Sequence, residues 1–524
     1  MSAPSFSILT PVYNPPLDVL EATIASVRAQ TYADWEWIVV DDCSTDPRVR
    51  EVLATAATED ARITMIARPT NGHIVVASND ALAAARGIYV VFLDHDDLLT
   101  PDALARMAEL LGQADDFDYV YSDEDKVGAD GHFYDTFLKP AWSPERLRGQ
   151  MYTSHLSVMR RSVVVEVGGF REGYEGSQDH DLALRVTEVA RRVGHLVGVH
   201  YHWRVVPGSA AGAPDAKPYT QSAGLRAVND HLARVGIRGR AVDIPGHPGQ
   251  YRIERELDPG HRVSIVIPTM GQSGRVWGAE RVFVVEAVRS ALAHTNHADV
   301  EVVVVYDPPT PAKVLDELRQ IAGNRLVLVP YRKPFNFSEK INVGFLASTG
   351  SRVVLLNDDV EIRSDGWLEQ LVAPLDEPDV GMTGARLYFS DGTLQHVGHH
   401  YEGGDYHHTY LGWPGDSSGT MSDIIINREV SGVTAACAAL RREVFESVGG
   451  LCEDLPVNFN DVDLSYKVRQ WGGRILYIAN CELYHFESRT RPRGIHAWEH
   501  ERALARWGRP AVDDFHPVPK PTGK

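Results

Sequence analysis

The sequence predicts an α/β protein built from two tandem domains, each a mostly parallel sheet with helices on both faces. Three observations carry this. A chain of 524 residues exceeds one ordinary core. Short β-branched runs alternate with runs of helical period. Long stretches then recur later in the chain in the same order. With 44% apolar residues, 44 glycines and 30 prolines, the composition is that of a folded globular chain.

FSILTPV is an apolar run stopped at Pro11, after which Leu17, Leu20, Ile24 and Val27 recur at helical spacing. WEWIVVDD predicts a second strand ending in Asp41 and Asp42, and ITMIAR a third. Residues 79–86 read as an alanine-rich helix and 88–93 as a fourth strand. Parallel sheets bind ligands beyond the carboxyl ends of their strands. Asp41, Asp42, Asp94, Asp96 and Asp97 are therefore expected to converge on one crevice.

The repeat is explicit. VSIVIPT echoes FSILTPV, and EVVVVYD echoes WEWIVVDD. INVGFLASTGSRVVLLNDDVEI follows SNDALAAARGIYVVFLDHDDLL without a gap, pairing Asn79 with Asn342, Gly87 with Gly350, Asp94 with Asn357 and Asp96 with Asp359, all 263 positions apart. EVGGFREGYEGSQDHDLALRV matches SVGGLCEDLPVNFNDVDLSYKV, which pairs Asp179 with Asp461. An isolated histidine follows each, His202 after 23 residues and His485 after 24. The predicted domains are residues 1–210, a connector with an amphipathic helix at 211–262, a second domain at 263–490 and a tail at 491–524.

A formal charge of −19 argues against broad binding to nucleic acid or an anionic bilayer, leaving Arg489, Arg491 and Arg493 as a local basic patch. Cys43, Cys437, Cys452 and Cys481 form no CxxC pair and suit free thiols in a reducing compartment. No charged leader precedes the first strand, and no stretch approaches the roughly 20 apolar residues that span a bilayer. The expectation is a cytoplasmic protein with membrane contact only at the periphery.

Acids crowded at a strand tip raise one another's pKa unless a cation neutralises them, and hard oxygen ligands suit Mg²⁺ or Mn²⁺. Read alone, Asp97 is compatible with capping the helix of LLTPDALARMAELL, and Asp179 with capping its own helix; the repeat of the strand-tip group at Asn357 to Asp359, and of Asp179 as Asp461, favours chemistry. The histidines of QHVGHHYEGGDYHH (His396, His399, His400, His407, His408) have irregular spacing and no cysteine, and read as an acceptor-side loop rather than a zinc site. Trp142, Trp203 and Trp413 are compatible with stacking on a ligand ring or with packing. No GxGxxG follows the first strand, and there is no P-loop or GxSxG elbow.

Together these motifs resemble tandem GT-A domains (Rossmann-like, nucleotide-diphospho-sugar transferase) of the family 2 glycosyltransferases, over nearly the whole chain. YSDEDKV, FLKPAWSPERL and YHWR in the first copy, and PFNFSEKIN, GARLYFSDGTLQHVG and SGVTAACAALRR in the second, resemble the subset that builds cell-surface polysaccharides. The resemblance implies a donor pocket lined by Pro11, Tyr13, Asn14, Asp41, Asp42, Asn79 and Asp94, and in the second copy by Pro268, Asp307, Asn342, Asn357 and Asp358. It implies Mn²⁺ or Mg²⁺ on Asp96 with His202 and on Asp359 with His485, and Asp179 and Asp461 as bases. The implied reaction is inverting transfer from a UDP-, dTDP- or GDP-sugar to a lipid-linked or polymeric glycan of O-antigen, rhamnan or galactan type, with one active site per domain. Tyr306 stands where the first copy has Asp41, which leaves open a different donor, or sugar binding without turnover, in the second. A sugar-phosphate nucleotidyltransferase and a noncatalytic carbohydrate-binding protein are the competing readings.

Overall fold

Within FSILTPV, Phe6, Ile8 and Val12 enter one core and Leu9 the core on the opposite face. A strand covered on both faces needs this continuous apolar sequence. The computed structural model describes residues 3–205, 218–486 and 496–517; the predicted boundaries at 210 and 490 and the patch Arg489, Arg491 and Arg493 lie outside them.

The first half runs β1 (Phe6–Val12), α1 (Leu17–Arg28), β2 (Trp35–Asp41), α2 (Pro47–Glu59), β3 (Ile63–Ala67), α3 (His73–Ala84) and β4 (Tyr89–Phe92). It continues through β5 (Leu98–Leu99), α4 (Ala103–Leu111), β6 (Phe117–Val127), β7 (Phe133–Phe137), α5 (Pro144–Gly149), β8 (Ser157–Arg160), α6 (Arg161–Glu166), α7 (Gln178–Val189) and β9 (Arg192–Arg204). The sheet order is β3-β2-β1-β4-β8-β6-β9-β5, with β1 to β4 parallel and β8 antiparallel to both its neighbours. Helix α3 begins six residues before the predicted start, because the β-branched run Ile74-Val75-Val76 is helical here: Val75, Ala77, Ala81 and Leu82 bury one face, and packing overrides propensity.

The connector is α8 (Pro218–Arg234) and the hairpin β10 (Gly239–Asp243) and β11 (Tyr251–Arg255). The second half opens with β12 (Val263–Thr269), the hairpin β13 (Ser273–Val276) and β14 (Ala279–Val282), α9 (Phe283–Ala293), β15 (Val300–Tyr306), α10 (Ala312–Ala322), β16 (Leu326–Pro330), α11 (Phe337–Ala347) and β17 (Arg352–Leu356). It continues through β18 (Val360–Ile362), α12 (Trp367–Val372), β19 (Val380–Tyr388), β20 (Leu394–His396), β21 (His399–Glu402), β22 (Asp405–His408), β23 (Arg428–Glu429), β24 (Cys437–Arg441), α13 (Arg442–Ser447), α14 (Asn460–Gln470) and β25 (Arg474–His485). Its order, β16-β15-β12-β17-β24-β19-β25-β18, reproduces that of the first sheet strand for strand.

The repeated glycines and asparagines hold this scaffold. Gly87 N–H donates to Ser7 Oγ and Gly350 N–H to Ser264 Oγ, each at 2.7 Å, and each serine donates to a buried glutamate, Glu36 or Glu301. A Cβ at Gly87 would lie 2.6 Å from Ser7 N, and one at Gly350 2.5 Å from Ser264 Oγ, so the close approach requires glycine.

Residues 496–517 fold back as a strap. Helix α15 (Ala497–Trp507) packs on α14, with Trp507 stacked on Tyr466 at 4.9 Å and its indole N–H on Asp463. Beyond it, Asp513 accepts Tyr401 N–H at 2.7 Å, and the Asp514 carbonyl accepts Ala141 N–H from the first half at 2.7 Å. Among the described residues no helix is long and apolar enough to cross a membrane.

The two halves meet through a largely buried ionic network. Arg148 and Arg255 both bind Glu145 (2.8 and 2.6 Å) and Glu377 (2.9 and 2.7 Å), and Arg474 binds Glu377 (3.1 Å) and Glu429 (2.6 Å). Glu429 also accepts Glu145 N–H at 3.2 Å. Arg474 also binds Asp379 (2.7 Å) at the edge of the network, so four carboxylates face three guanidiniums contributed by the first half, the connector and the second half.

Removing one partner of such a network strands the others. Glu377→Ala is expected to destabilise the chain by about 3–5 kcal/mol, read from urea unfolding. Burial would lift the Glu377 carboxyl, but Arg148, Arg255 and Arg474 hold it down to about 2. Its contribution is therefore full above the ordinary glutamate value and is lost as pH falls through about 2, so the stability gap between wild type and Glu377→Ala narrows on acidification below pH ~4.

Candidate active sites

In the first half a cleft of about 600 Å³ opens at the carboxyl ends of β1, β2 and β4. Pro11, Tyr13 and Asp42 lie at one part of its wall, Asp94 and Asp96 at the tip of β4, and Asp179 and Trp203 on the remaining wall. Asp179 is the second residue of α7, and Asp461 the second of α14. Asp179 Oδ1 accepts the next residue's N–H (2.8 Å) and Oδ2 accepts Ser154 Oγ–H (3.3 Å).

Of the expected donor residues, Pro11, Tyr13, Asp42 and Asp94 reach this cleft. Asp42 Oδ1 is held by Arg68 Nε (2.9 Å) and Gly72 N–H (2.8 Å), which fixes the loop before α3. The structure does not bring Asp41, Asn14 or Asn79 to the cleft wall. Asp41 is fully buried, bound to Arg50 (2.8 Å) and Ser44 N–H (2.9 Å). Asn14 Oδ1 accepts Thr45 N–H at 2.8 Å and pins the loop before α2. Asn79 exchanges both amide hydrogen bonds with the Phe170 backbone at 2.9 Å, and Asn342 does the same with Leu451 at 3.0 Å. These asparagines clamp the Gly169 and Gly450 turns, whose φ values are +65° and +64°.

Asp97 neither caps α4 nor faces the cleft. It is fully buried, accepts Tyr201 Oη–H (2.5 Å) and Arg204 N–H (2.7 Å), and its carboxyl is pushed well up by burial and by Asp94 and Asp96. Burial likewise raises the Asp94 carboxyl, with Asp96 adding to it and His155 opposing.

His202 is turned away from Asp96: its Nδ1 meets Asp125 Oδ1 at 2.5 Å and its ring packs on Phe133. Strand register explains this. In the first half His202 pairs with Leu98, whereas in the second His485 pairs with Val360, the counterpart of Asp97. His485 therefore occupies the place of Trp203, and a slip of one residue on a strand reverses the face. The unequal spacings of 23 and 24 residues carried that signal.

The imidazole of the first cleft is His155, from the segment entering β8. It stacks on Tyr201 at 4.6 Å, pairs with Glu124 (Nδ1 to Oε2, 3.4 Å) and lies 3.9 Å from Asp94 Oδ2. Burial alone would lower its pKa, but Glu124, Asp94 and Asp97 raise it to about 9. Counting back from the matched strands, its counterpart is Ala436. No periodicity in the sequence marks His155.

In the second half Asp461, Asn357 and His485 line a cavity of about 330 Å³, together with His399 and His408. His485 Nδ1 meets Gln395 Oε1 (2.6 Å), while its Nε2 faces the Asn357 amide (3.0 Å) and lies 3.2 Å from Asp359 Oδ1. Orientation of this kind prepares a histidine for a cation. Pro268, Asp307 and Asp358 do not line that cavity. Asp358 accepts Thr269 Oγ–H (2.6 Å), and burial with the adjacent Asp359 raises its carboxyl to about 7. Asp307 is bound by Lys340 Nζ (3.1 Å), which also donates to the Thr269 carbonyl (2.7 Å). Lys340 is fully buried and stands where the first half has Ala77 on the cleft wall.

Comparison with known proteins finds the profile of glycosyl transferase family 2 matching residues 7–168 and, again, residues 264–449. The uncharacterized protein y4gI of Sinorhizobium fredii is 41% identical over 497 residues, covering 94% of this chain and 54% of that protein. The O-antigen biosynthesis protein RfbC of Myxococcus xanthus is 36% identical over 494 residues, covering 93% of this chain and 38% of that protein. The chain thus spans about half the length of the first relative and less of the second. Among solved structures, S. aureus TarS 1-349 in complex with UDP-GlcNAc aligns over 44% of this chain and 66% of its own, with 20% identity and a TM-score of 0.36. Two separate matches cover both cleft-bearing halves, and on that ground the chain belongs to glycosyl transferase family 2, with the family's unit present twice.

Proposed function

We propose that the chain moves sugars from nucleotide-diphospho-sugars to a hydroxyl of a growing cell-surface glycan, with inversion, at one site in each half. The observation that carries this reading is the repeated carboxylate on the second residue of a helix, Asp179 or Asp461, facing a cavity that also receives the tip of the fourth parallel strand. Each carboxylate takes the proton of an acceptor hydroxyl as its oxygen attacks the anomeric carbon. The nucleoside diphosphate leaves from the opposite face. In the first half the protonated His155 brings positive charge beside Asp94, and Trp203 offers a ring face in the cleft. The acceptor is read as an O-antigen-like polymer or its lipid-linked precursor, a reading supported by the likeness to a protein named for O-antigen biosynthesis.

The residues fit a hard dication. With both Asp97 oxygens engaged and His155 protonated, Asp94 and Asp96, together on the cleft wall at the tip of β4, are the carboxylates that would hold it. In the second half the holders are Asp359 and His485. A bound Mg²⁺ or Mn²⁺ supplies positive charge for the departing diphosphate.

One observation favours a narrower reading in which only the first half transfers sugar. Lys340 fills, in the second half, the position beside Asp307 that is open at Ala77 in the first. A panel of UDP-, dTDP- and GDP-sugars separates the two readings. Asp179→Asn is expected to lower turnover of one donor by ~10²–10⁴-fold and Asp461→Asn that of another, with little change in KM. If Asp461→Asn spares every donor, the second half does not transfer sugar. A chelator and Asp96→Asn should each abolish turnover at the first site, with Mn²⁺ restoring only the chelated enzyme; activity that survives both would remove the metal from the mechanism.

A further inference from the structure

The hairpin of β21 and β22 places His399 opposite His408, two side chains on one face of an antiparallel pair. His396, at the end of β20, closes the group. The three rings have centroids 4.8, 4.9 and 4.8 Å apart and cross one another at 76°, 79° and 80°. Three imidazoles bound to one tetrahedral cation, with metal–nitrogen bonds of about 2.0–2.1 Å, place their ring centres about 5 Å apart. The observed triangle has that size, and one nitrogen from each ring lies within 4.8 Å of the other two. The geometry points to a binding site for one borderline-soft dication of the Zn²⁺ class at His396, His399 and His408, separate from the hard-cation position at Asp359 and His485.

Two further observations support it. His396 is fully buried and His399 almost so, which leaves the facing nitrogens of these rings shielded from bulk water. His396 Nδ1 and His408 Nδ1 also face each other at 2.8 Å, an arrangement in which one nitrogen must hold a proton that a cation replaces. Thr434 N–H donates to His396 Nε2 at 3.1 Å, so loading through Nδ1 moves the His396 proton to Nε2 and gives up the Thr434 bond. His399 and His408 line the Asp461 cavity, which leaves a fourth ligand position to water or to a sugar oxygen. Among the described residues the first half carries no counterpart of this hairpin.

The test uses the whole chain, stripped by dialysis against a chelator and saturated with Mg²⁺ to cover the hard-cation position. Zn²⁺ titrated against a chromophoric competitor is expected to show one tight equivalent. His399→Ala and His408→Ala should each weaken it at least ~100-fold, while Asp359→Asn leaves it in place. Co²⁺ added to Asp359→Asn protein should give the intense visible bands of a four-coordinate site, a readout independent of whether the histidine variants fold. Absence of both the tight equivalent and those bands, or loss of the equivalent in Asp359→Asn alone, overturns the proposal and leaves a hydrogen-bonded histidine cluster. Neither outcome depends on sugar transfer at Asp461, so failure of the catalytic reading is scored separately.

Discussion

Six charges at the junction of the two sheets, four buried and two (Glu377 and Arg474) partly so, set how the halves face each other. Glu145, Glu377 and Glu429 pair with Arg148, Arg255 and Arg474, and the six come from three parts of the chain, so the pairing ties the first half, the connector and the second half together. Desolvating this many ions costs about as much as their attraction returns, so the network contributes little to stability by being present. Its effect is on specificity: any sliding of one half against the other would leave an ion buried without a partner.

Each half then repeats a frame and varies a site. The shared parts are backbone clamps: a serine and a glutamate seating Gly87 or Gly350, and an asparagine gripping the turn before the helix that carries Asp179 or Asp461. Such groups position the carboxylate without touching anything in the cleft. The varied parts are the cationic and aromatic groups. One half brings its imidazole from the segment entering β8 and the other from β25, and each has a different residue, Ala436 or Trp203, where its counterpart has the histidine.

The alternation of strands and helices, the repeat and the acids at the strand tips were legible in the sequence because each rests on local pattern: apolar runs, helical period and spacing. Side-chain direction was not. Asn79 and Asn342 recur because they bind backbone, which repetition alone cannot separate from binding a ligand. His202 is misdirected by a single residue of register, and His155 gives no periodic signal, since its charge comes from Glu124 on a strand 31 positions earlier. The histidine-rich loop looked irregular because its order is that of a hairpin, in which cross-strand pairing, not spacing, decides which rings meet.

The strap of residues 496–517 has a consequence during synthesis. Domains fold as they emerge, first half first. Here the loop at Ala141 and the strand residue Tyr401 both await hydrogen-bond partners from residues 513 and 514, which leave the ribosome after every strand of both sheets. One short, late-emerging segment thus supplies a backbone hydrogen-bond partner to each half.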